Sequence, residues 1–201
     1  MDKIKIITLG GLDELYKNMT LIEINDEIYV IECGVKFPDK TKPGVDYIIP
    51  RYDYLLANKN KVKGYFLTHG HDSIIGALPY IYEKVPAPIY CTHITQAFFY
   101  SFCVHNHIDF TKYSFHIVNA SDDLQIGSRK ISLFSVCCNF AESFGVSIST
   151  DQGNVIYLSN FVINNDNAPG FTNDFAKLGK ICEKVGVQNK KELIEYLHMN
   201  M

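Results

Sequence analysis

An apolar run from Val62 to Leu67 leads into Thr68-His69-Gly70-His71-Asp72-Ser73-Ile74 and then into a helical pattern. This order constrains the chain more than any other feature, because it prescribes a buried strand, a tight loop and a helix in succession. On such a strand-to-helix turn, His69 and His71 can aim both imidazoles into one cleft. An open catalytic zinc site needs that arrangement, with protein ligands on one side and a position left for water or substrate. Two histidines at this spacing also occur as ordinary loop residues without metal, so their surroundings must decide.

The rest of the chain reads as layered α/β packing around a sheet. Lys3–Leu9 is strand-like and stops at Gly10-Gly11. Thr20–Ile24 and Glu27–Glu32 flank Asn25-Asp26, a two-residue hairpin turn. Arg51–Asn58 predicts a short helix, Ile74–Lys84 a longer one, Ile89–Thr92 a strand and Thr95–Val104 a helix with an aromatic face. Strands are predicted at Tyr113–Val118, Lys130–Cys138, Val146–Thr150 and Val155–Leu158, and helices at Phe175–Lys184 and Lys190–Met199. No repeat, low-complexity linker or domain boundary stands out, so residues 1–201 read as a single domain with a C-terminal helix over 189–199.

Composition narrows the class. A formal charge of −3 supplies no global attraction for nucleic acid, so RNA or DNA contact would need a local patch or another domain. The N-terminus lacks the apolar stretch of a signal peptide, and no apolar run reaches the ~18 residues that cross a membrane. Six scattered cysteines without scaffold spacing predict reduced thiols and a cytoplasmic protein.

Several segments, in order, carry a resemblance. They are Leu9-Gly10-Gly11-Leu12, Lys17-Asn18-Met19-Thr20, Glu32-Cys33-Gly34, Gly44-Val45-Asp46, Phe66-Leu67-Thr68-His69-Gly70-His71 and Gly76-Ala77-Leu78-Pro79-Tyr80. Over about residues 3–180 the chain resembles the N-terminal part of the ribonuclease J family, whose metallo-β-lactamase fold carries an inserted β-CASP domain. The resemblance implies an αββα sandwich, two zinc ions and RNA phosphodiester hydrolysis. It also implies that this chain is an incomplete version of the fold, without the β-CASP insertion or the C-terminal portion.

Position by position, the resemblance places the family's metal motifs on altered residues. The HxHxDH loop falls on His69 and His71, with Ser73 at its Asp and Ile74 at its last His. Glu142-Ser143-Phe144-Gly145 anchors the next motif and sets Cys138 where a His is expected. Leu158-Ser159-Asn160-Phe161 matches Thr-Gly-Asp-Phe, so Asn160 replaces the metal-bridging Asp. The first metal position would keep His69, His71 and Cys138, a set acceptable to zinc. The second would keep nothing, because Ser73, Ile74 and Asn160 carry no charge. A mechanism with two ions clamping both oxygens of an in-line displacement is then excluded by ligand count. The expected cofactor is none or one zinc ion.

Other candidates have plainer readings. Asp72 reads as a solvated loop acid, and His105-Asn106-His107 as helix capping rather than metal binding. His93, His116 and His198 have no partners in sequence. Cys137 should alternate with Cys138 along a strand, leaving only one of them facing the cleft. Phe98-Phe99-Tyr100 with Phe102 can stack bases but fits a buried helix face better. Glu32 is expected to brace loops.

The function these residues imply is that of a ribonuclease J-like protein of RNA processing and decay. By the resemblance its active site is degenerate, and it is expected to act as a non-catalytic subunit or RNA-associated protein, with an active ribonuclease J paralogue and RNA as partners. The alternatives are a hydrolase using one zinc on His69, His71 and Cys138, and a truncated remnant of a ribonuclease J gene.

Overall fold

The turn at Asn25-Asp26 closes as the sequence predicts, with Asn25 at φ 55° joining β2 (Met19–Ile24) to β3 (Glu27–Ile31). The Asn25 side chain pins the strand start by accepting from the Lys3 amide at 2.9 Å and donating to Asp2 at 2.8 Å. In this computed structural model, residues 1–163 and 168–183 are described. The predicted helix over 189–199 lies outside the described residues.

The chain divides after Asn119 into two compact units, at a point where composition offers no break. The first unit, Asp2–Asn119, holds a six-stranded sheet in the order β1 (Ile4–Gly10), β2, β3, β4 (Val62–Phe66), β5 (Ile89–Cys91) and β6 (Phe115–Ile117). The first three strands are antiparallel and the last four run parallel. Every residue of β2 is buried, as expected where both faces are covered, including the polar Thr20 and the charged Glu23. Around the sheet lie α1 (Asp53–Ala57), α2 (Asp72–Ile75), α3 (Leu78–Tyr82) and α4 (His93–His105).

The helix predicted over Ile74–Lys84 is instead the pair α2 and α3. Cys33 takes the Ile74 carbonyl through its amide at 2.7 Å, and its own carbonyl accepts from the Ala77 amide at 2.8 Å. The loop after β3 thus claims groups that a continuous helix would use internally. Pro79 in the first turn of α3 then restarts the helix.

The second unit, from Ala120 onward with Met1, holds a four-stranded antiparallel sheet in the order β10, β9, β8, β7. Its strands are β7 (Asp123–Ile126), β8 (Arg129–Ser135), β9 (Phe144–Thr150) and β10 (Gly153–Tyr157). Helix α5 (Phe175–Glu183) packs Leu178, Ile181 and Cys182 with Phe134 and Val136. Lys177 ties the helix to the start of β7, at 3.0 Å from Asp123 and 2.6 Å from the Ser121 carbonyl.

Strand β7 has no counterpart among the predicted strands. Its Asp-Leu-Gln-Ile run alternates polar and apolar, with Leu124 half-buried and Ile126 buried, but at four residues the pattern is short. The two-residue Gly127-Ser128 turn, with Gly127 at φ 59°, was the available hairpin signal. Strand β8 stops three residues short of the predicted end. There the Val136 amide donates to Ser143 and the Cys137 amide to the Asn173 side chain, both outside the strand ladder. Cys137 and Cys138 are therefore loop residues, and both are buried. The expected strand alternation between them does not apply.

Candidate metal-site loop

The histidine loop is positioned by backbone. The Glu32 amide donates to the Phe66 carbonyl at the end of β4, and the Val35 amide to the Asp72 carbonyl. The Asn18 amide donates to the Ser73 carbonyl at 3.0 Å, while the Gly34 amide donates to Asn18. Three separate motifs, around Asn18, Gly34 and Gly76, thus converge on the same turn. Gly34 has to be glycine, because a Cβ there would lie 1.4 Å from the Ser73 carbonyl oxygen.

His69 is 2% exposed and held through a relay. Thr68 donates its hydroxyl to Glu32 at 3.1 Å, and its oxygen lies 3.0 Å from Nδ1 of His69. With the Thr68 proton on Glu32, Nδ1 of His69 is the donor, and its Nε2 carries the lone pair. Burial first, and the neighbouring His71 second, push the His69 imidazole down to about 4. A neutral imidazole whose second nitrogen is braced by a hydroxyl and a carboxylate is the form in which histidine ligates metal. Glu32 braces the loop, as expected from the sequence, and does so at φ 67°, a left-handed conformation stored beside the site.

His71 is used differently. It caps α2 with Nδ1 accepting from the Ser73 amide at 3.1 Å, and the Ser73 hydroxyl lies 2.7 Å from the same nitrogen. An amide can only donate, so Nδ1 holds the lone pair, and the hydroxyl donates to it as well. In the neutral ring the proton then sits on Nε2. Tyr16 stacks on this ring with centroids 6.0 Å apart and planes 9° apart.

The remaining predicted residues divide as follows. Ile74 is fully buried and packs in the first unit's core with residues such as Cys33, Val35 and Ile75. Asn160, beyond the end of β10, is exposed. Cys138 belongs to the second unit, where its sulfur closes a local turn: it accepts from the Phe140 amide at 3.3 Å and lies 2.9 Å from the Ser143 hydroxyl. Among the described residues, no group of three or more His, Cys, Asp or Glu side chains is arranged to hold a metal ion.

Donor chemistry decides what this loop fits. On the loop itself, Ser73 offers a neutral hydroxyl and Ile74 a buried hydrocarbon, neither of them an ordinary zinc ligand. His69 alone has the tautomer and bracing of a ligand, whereas the Nδ1 lone pair of His71 is already taken by two donors.

His105-Asn106-His107 is a helix cap, as expected. His107 at φ 55° follows the end of α4, the Ile108 amide reaches the Cys103 carbonyl at 2.8 Å, and the His107 amide reaches Val104 at 3.3 Å. These two bonds form a Schellman motif. The aromatic face of α4 is split: Phe99 and Phe102 are buried, but Phe98 is 45% exposed and lies over Gly70. The roles of Tyr16 and Phe98 had no signal in local spacing, because both act across chain segments.

No protein-family profile matches the chain. Ribonuclease J 2 of Streptococcus pyogenes serotype M3 is 36% identical over 181 residues, which make up 90% of this chain and 33% of the relative. Ribonuclease J 2 of Staphylococcus aureus strain NCTC 8325 is 34% identical over 181 residues, 90% of this chain and 32% of the relative. The chain therefore spans about a third of the length of the curated relatives it matches. Among solved structures, Rm3 metallo-β-lactamase aligns with a TM-score of 0.52 at 14% identity, covering 83% of this chain and 62% of that one. The short form of human tRNase Z aligns with a TM-score of 0.51 at 14% identity, covering 90% and 74%. The fold is that of the metallo-β-lactamases. Within that fold the chain is similar to these ribonuclease J 2 proteins over 90% of its own length.

Proposed function

We propose that this chain takes part in cytoplasmic RNA processing as a non-catalytic ribonuclease J-type protein, working beside an active chain of the same family. The observation that carries this reading is the pairing of Ser73 with Nδ1 of His71, at 2.7 Å, next to a fully buried Ile74. A phosphodiester hydrolase of the two-ion kind needs anionic or imidazole ligands at these positions to bind the second ion and activate water. Here the serine hydroxyl satisfies the histidine, and the isoleucine belongs to the core. All six cysteines are free and buried, which supports a reducing compartment. Among the described residues no helix is long and apolar enough to cross a membrane.

The test is zinc analysis of purified protein together with cleavage of a 5′-monophosphorylated RNA. The expected result is zinc well below one per chain, no cleavage, and co-purification with an active ribonuclease J-type chain supplied alongside.

A second reading, a hydrolase with a single zinc, has one observation in its favour: the Glu32–Thr68–His69 relay presents His69 in ligand form. Zinc would then be held by His69 with His71 and Cys138. That requires His71 to surrender its serine partner and the Cys138 thiol to give up its proton. Stoichiometric zinc lost on His69→Ala, with cleavage lost in parallel, would establish this reading over the first.

A further inference from the structure

Between β1 and β2 the chain makes a closed loop whose backbone is held where side chains rarely go. Asp13, Tyr16 and Lys17 lie at φ 53°, 70° and 57°, and Gly11 at 84°. Non-glycine residues keep such conformations only where surrounding contacts fix them, and they gather at clamps and switches. The two ends of the loop meet, since a Cβ on Gly10 would lie 2.0 Å from the Lys17 carbonyl oxygen. The exit is anchored by the Lys17 amide on the Val35 carbonyl and the Asn18 amide on the Ser73 carbonyl, both at 3.0 Å. The body stands in solvent, with Leu12 68% and Leu15 76% exposed. A narrow neck carrying an exposed body is the form of an Ω-loop, a class rich in functional segments.

A tyrosine at φ 70° needs a reason, because glycine takes that conformation without strain. What its side chain gains is the offset stack on His71, with centroids 6.0 Å and planes 9° apart, which covers one face of the imidazole. Tyr16 keeps 47% of its surface exposed, so its ring shields the histidine instead of joining the core. Glu14 ties the body down. Its carboxylate lies 2.8 Å from the Lys17 amine and 3.1 Å from the Lys36 amine. Lys36 follows Val35, whose amide holds the Asp72 carbonyl, so Glu14 is bound to the same backbone that braces the histidine loop.

We propose that Gly11–Tyr16 is a latched cover: Tyr16 closes over His71, and Glu14, gripped by Lys17 and Lys36, is the latch. Opening about the neck carries Tyr16 off the imidazole and relaxes the left-handed residues, while the stack and the ion pairs hold the loop shut. The amide bonds of Lys17 and Asn18 belong to the neck and survive opening, so the histidine loop keeps its shape when uncovered. The cover controls access to His71 and stands apart from the RNA reading above.

NMR of the full chain at fixed pH tests this. The Tyr16 ring current displaces the ring-proton shifts of His71, and relaxation dispersion reads opening on the μs–ms scale. The amides of the loop and the His71 ring are expected to share one exchange process with a minor open state. Glu14→Gln should raise the open population roughly two- to fivefold, the worth of an ion pair that reaches solvent. Added salt should do the same to the wild type and little to the variant. Tyr16→Gly, which relieves the strained backbone, should fold and lose the displacement at His71, and Tyr16→Phe should retain it. Identical His71 shifts in the wild type and Tyr16→Gly overturn the cover. So does exchange in the loop amides without matching exchange at His71. Exchange unaltered by both Glu14→Gln and salt overturns the latch.

Discussion

The hydroxyl of Ser73 lies 2.7 Å from Nδ1 of His71, on the one lone pair that this imidazole nitrogen can offer to a metal. The backbone amide of Ser73 points at the same nitrogen. Capping the helix and binding a cation are thus exclusive uses of one atom. Replacing Ser73 by Ala removes the hydroxyl but keeps the amide. This should lower stability by roughly 1 kcal/mol, the usual net worth of one hydrogen bond. Zinc content should stay low, because the amide still holds the nitrogen. A large rise in bound zinc on Ser73→Ala, measured by metal analysis, would show that the hydroxyl alone was the obstacle.

Ile74 sets a second barrier. Restoring a family-like loop calls for His at this position, but the isoleucine side chain is fully buried in the core. Ile74→His places a polar ring among hydrocarbons and should cost about 2–4 kcal/mol, seen as a lower urea midpoint with unchanged m-value. The double variant Ser73→Asp, Ile74→His, which sets two new ligands beside His69 and His71 on the same loop, should recover part of that loss only when zinc is added. A zinc-independent midpoint in this variant would mean that the restored ligands do not meet on one ion.

How much of this was legible in the sequence depends on whether the cause was local. The Asn25-Asp26 hairpin, the strand before the histidines and the cap at His105-Asn106-His107 are set by neighbouring residues, and all were readable. The break between α2 and α3 was not, because Cys33, some forty residues upstream of Ile74, takes the helix carbonyl. Strand β8 ended early for the same kind of reason, its last amides being claimed by Ser143 and Asn173. At the site, the substituted positions were visible by resemblance. Their physical meaning was not: that Ser73 occupies His71 is a matter of side-chain direction, which spacing does not encode. The split of the Phe98–Phe102 aromatics between core and surface was hidden likewise.

The Glu32–Thr68–His69 relay makes Thr68 a positioning residue. Thr68→Val keeps the shape but removes the hydroxyl that bonds both neighbours, leaving the fully buried Glu32 with one donor fewer. The expected cost is about 1–3 kcal/mol. A purely packing role would give a cost without any change at His69. Loss of the relay should instead alter the tautomer balance of His69, read from its ring nitrogen shifts by NMR, and Thr68→Ser should return both properties toward the original.

The cysteines offer a direct check on burial. Burial pushes the Cys91 thiol up to about 12 and the Cys103 thiol, with Asp109 nearby, up to about 11, and Cys33 is raised further still. The thiolate is the nucleophile, so these three should resist iodoacetamide at mildly alkaline pH in the folded protein and react once it is unfolded. Mass spectrometry of each cysteine peptide gives the comparison, and rapid native labelling of Cys33 or Cys91 would contradict the described core.

Glu23 gives the fold a defined acid sensitivity. It is 3% exposed and receives hydrogen bonds from Tyr54 and from Lys5, with Lys61 nearby. Burial raises its carboxyl, but the bonds from Tyr54 and Lys5 and the charges of Lys5 and Lys61 outweigh burial and hold it below its ordinary value. A carboxyl lowered on folding binds fewer protons than in the unfolded chain, so stability rises with pH across that interval. Its contribution is therefore fully present above the unfolded carboxyl value of about 4.3 and is lost as pH falls through the lower folded value. Lys5 and Lys61 reach solvent, which screens the pair, so Glu23→Gln should cost only about 1–2 kcal/mol at neutral pH. The loss should shrink as the pH is taken below about 4, where the wild-type carboxyl is itself being protonated. Urea titrations of both proteins across that range check the sign: a Glu23→Gln penalty that grows on acidification would place the stabilising form on the wrong side of the titration.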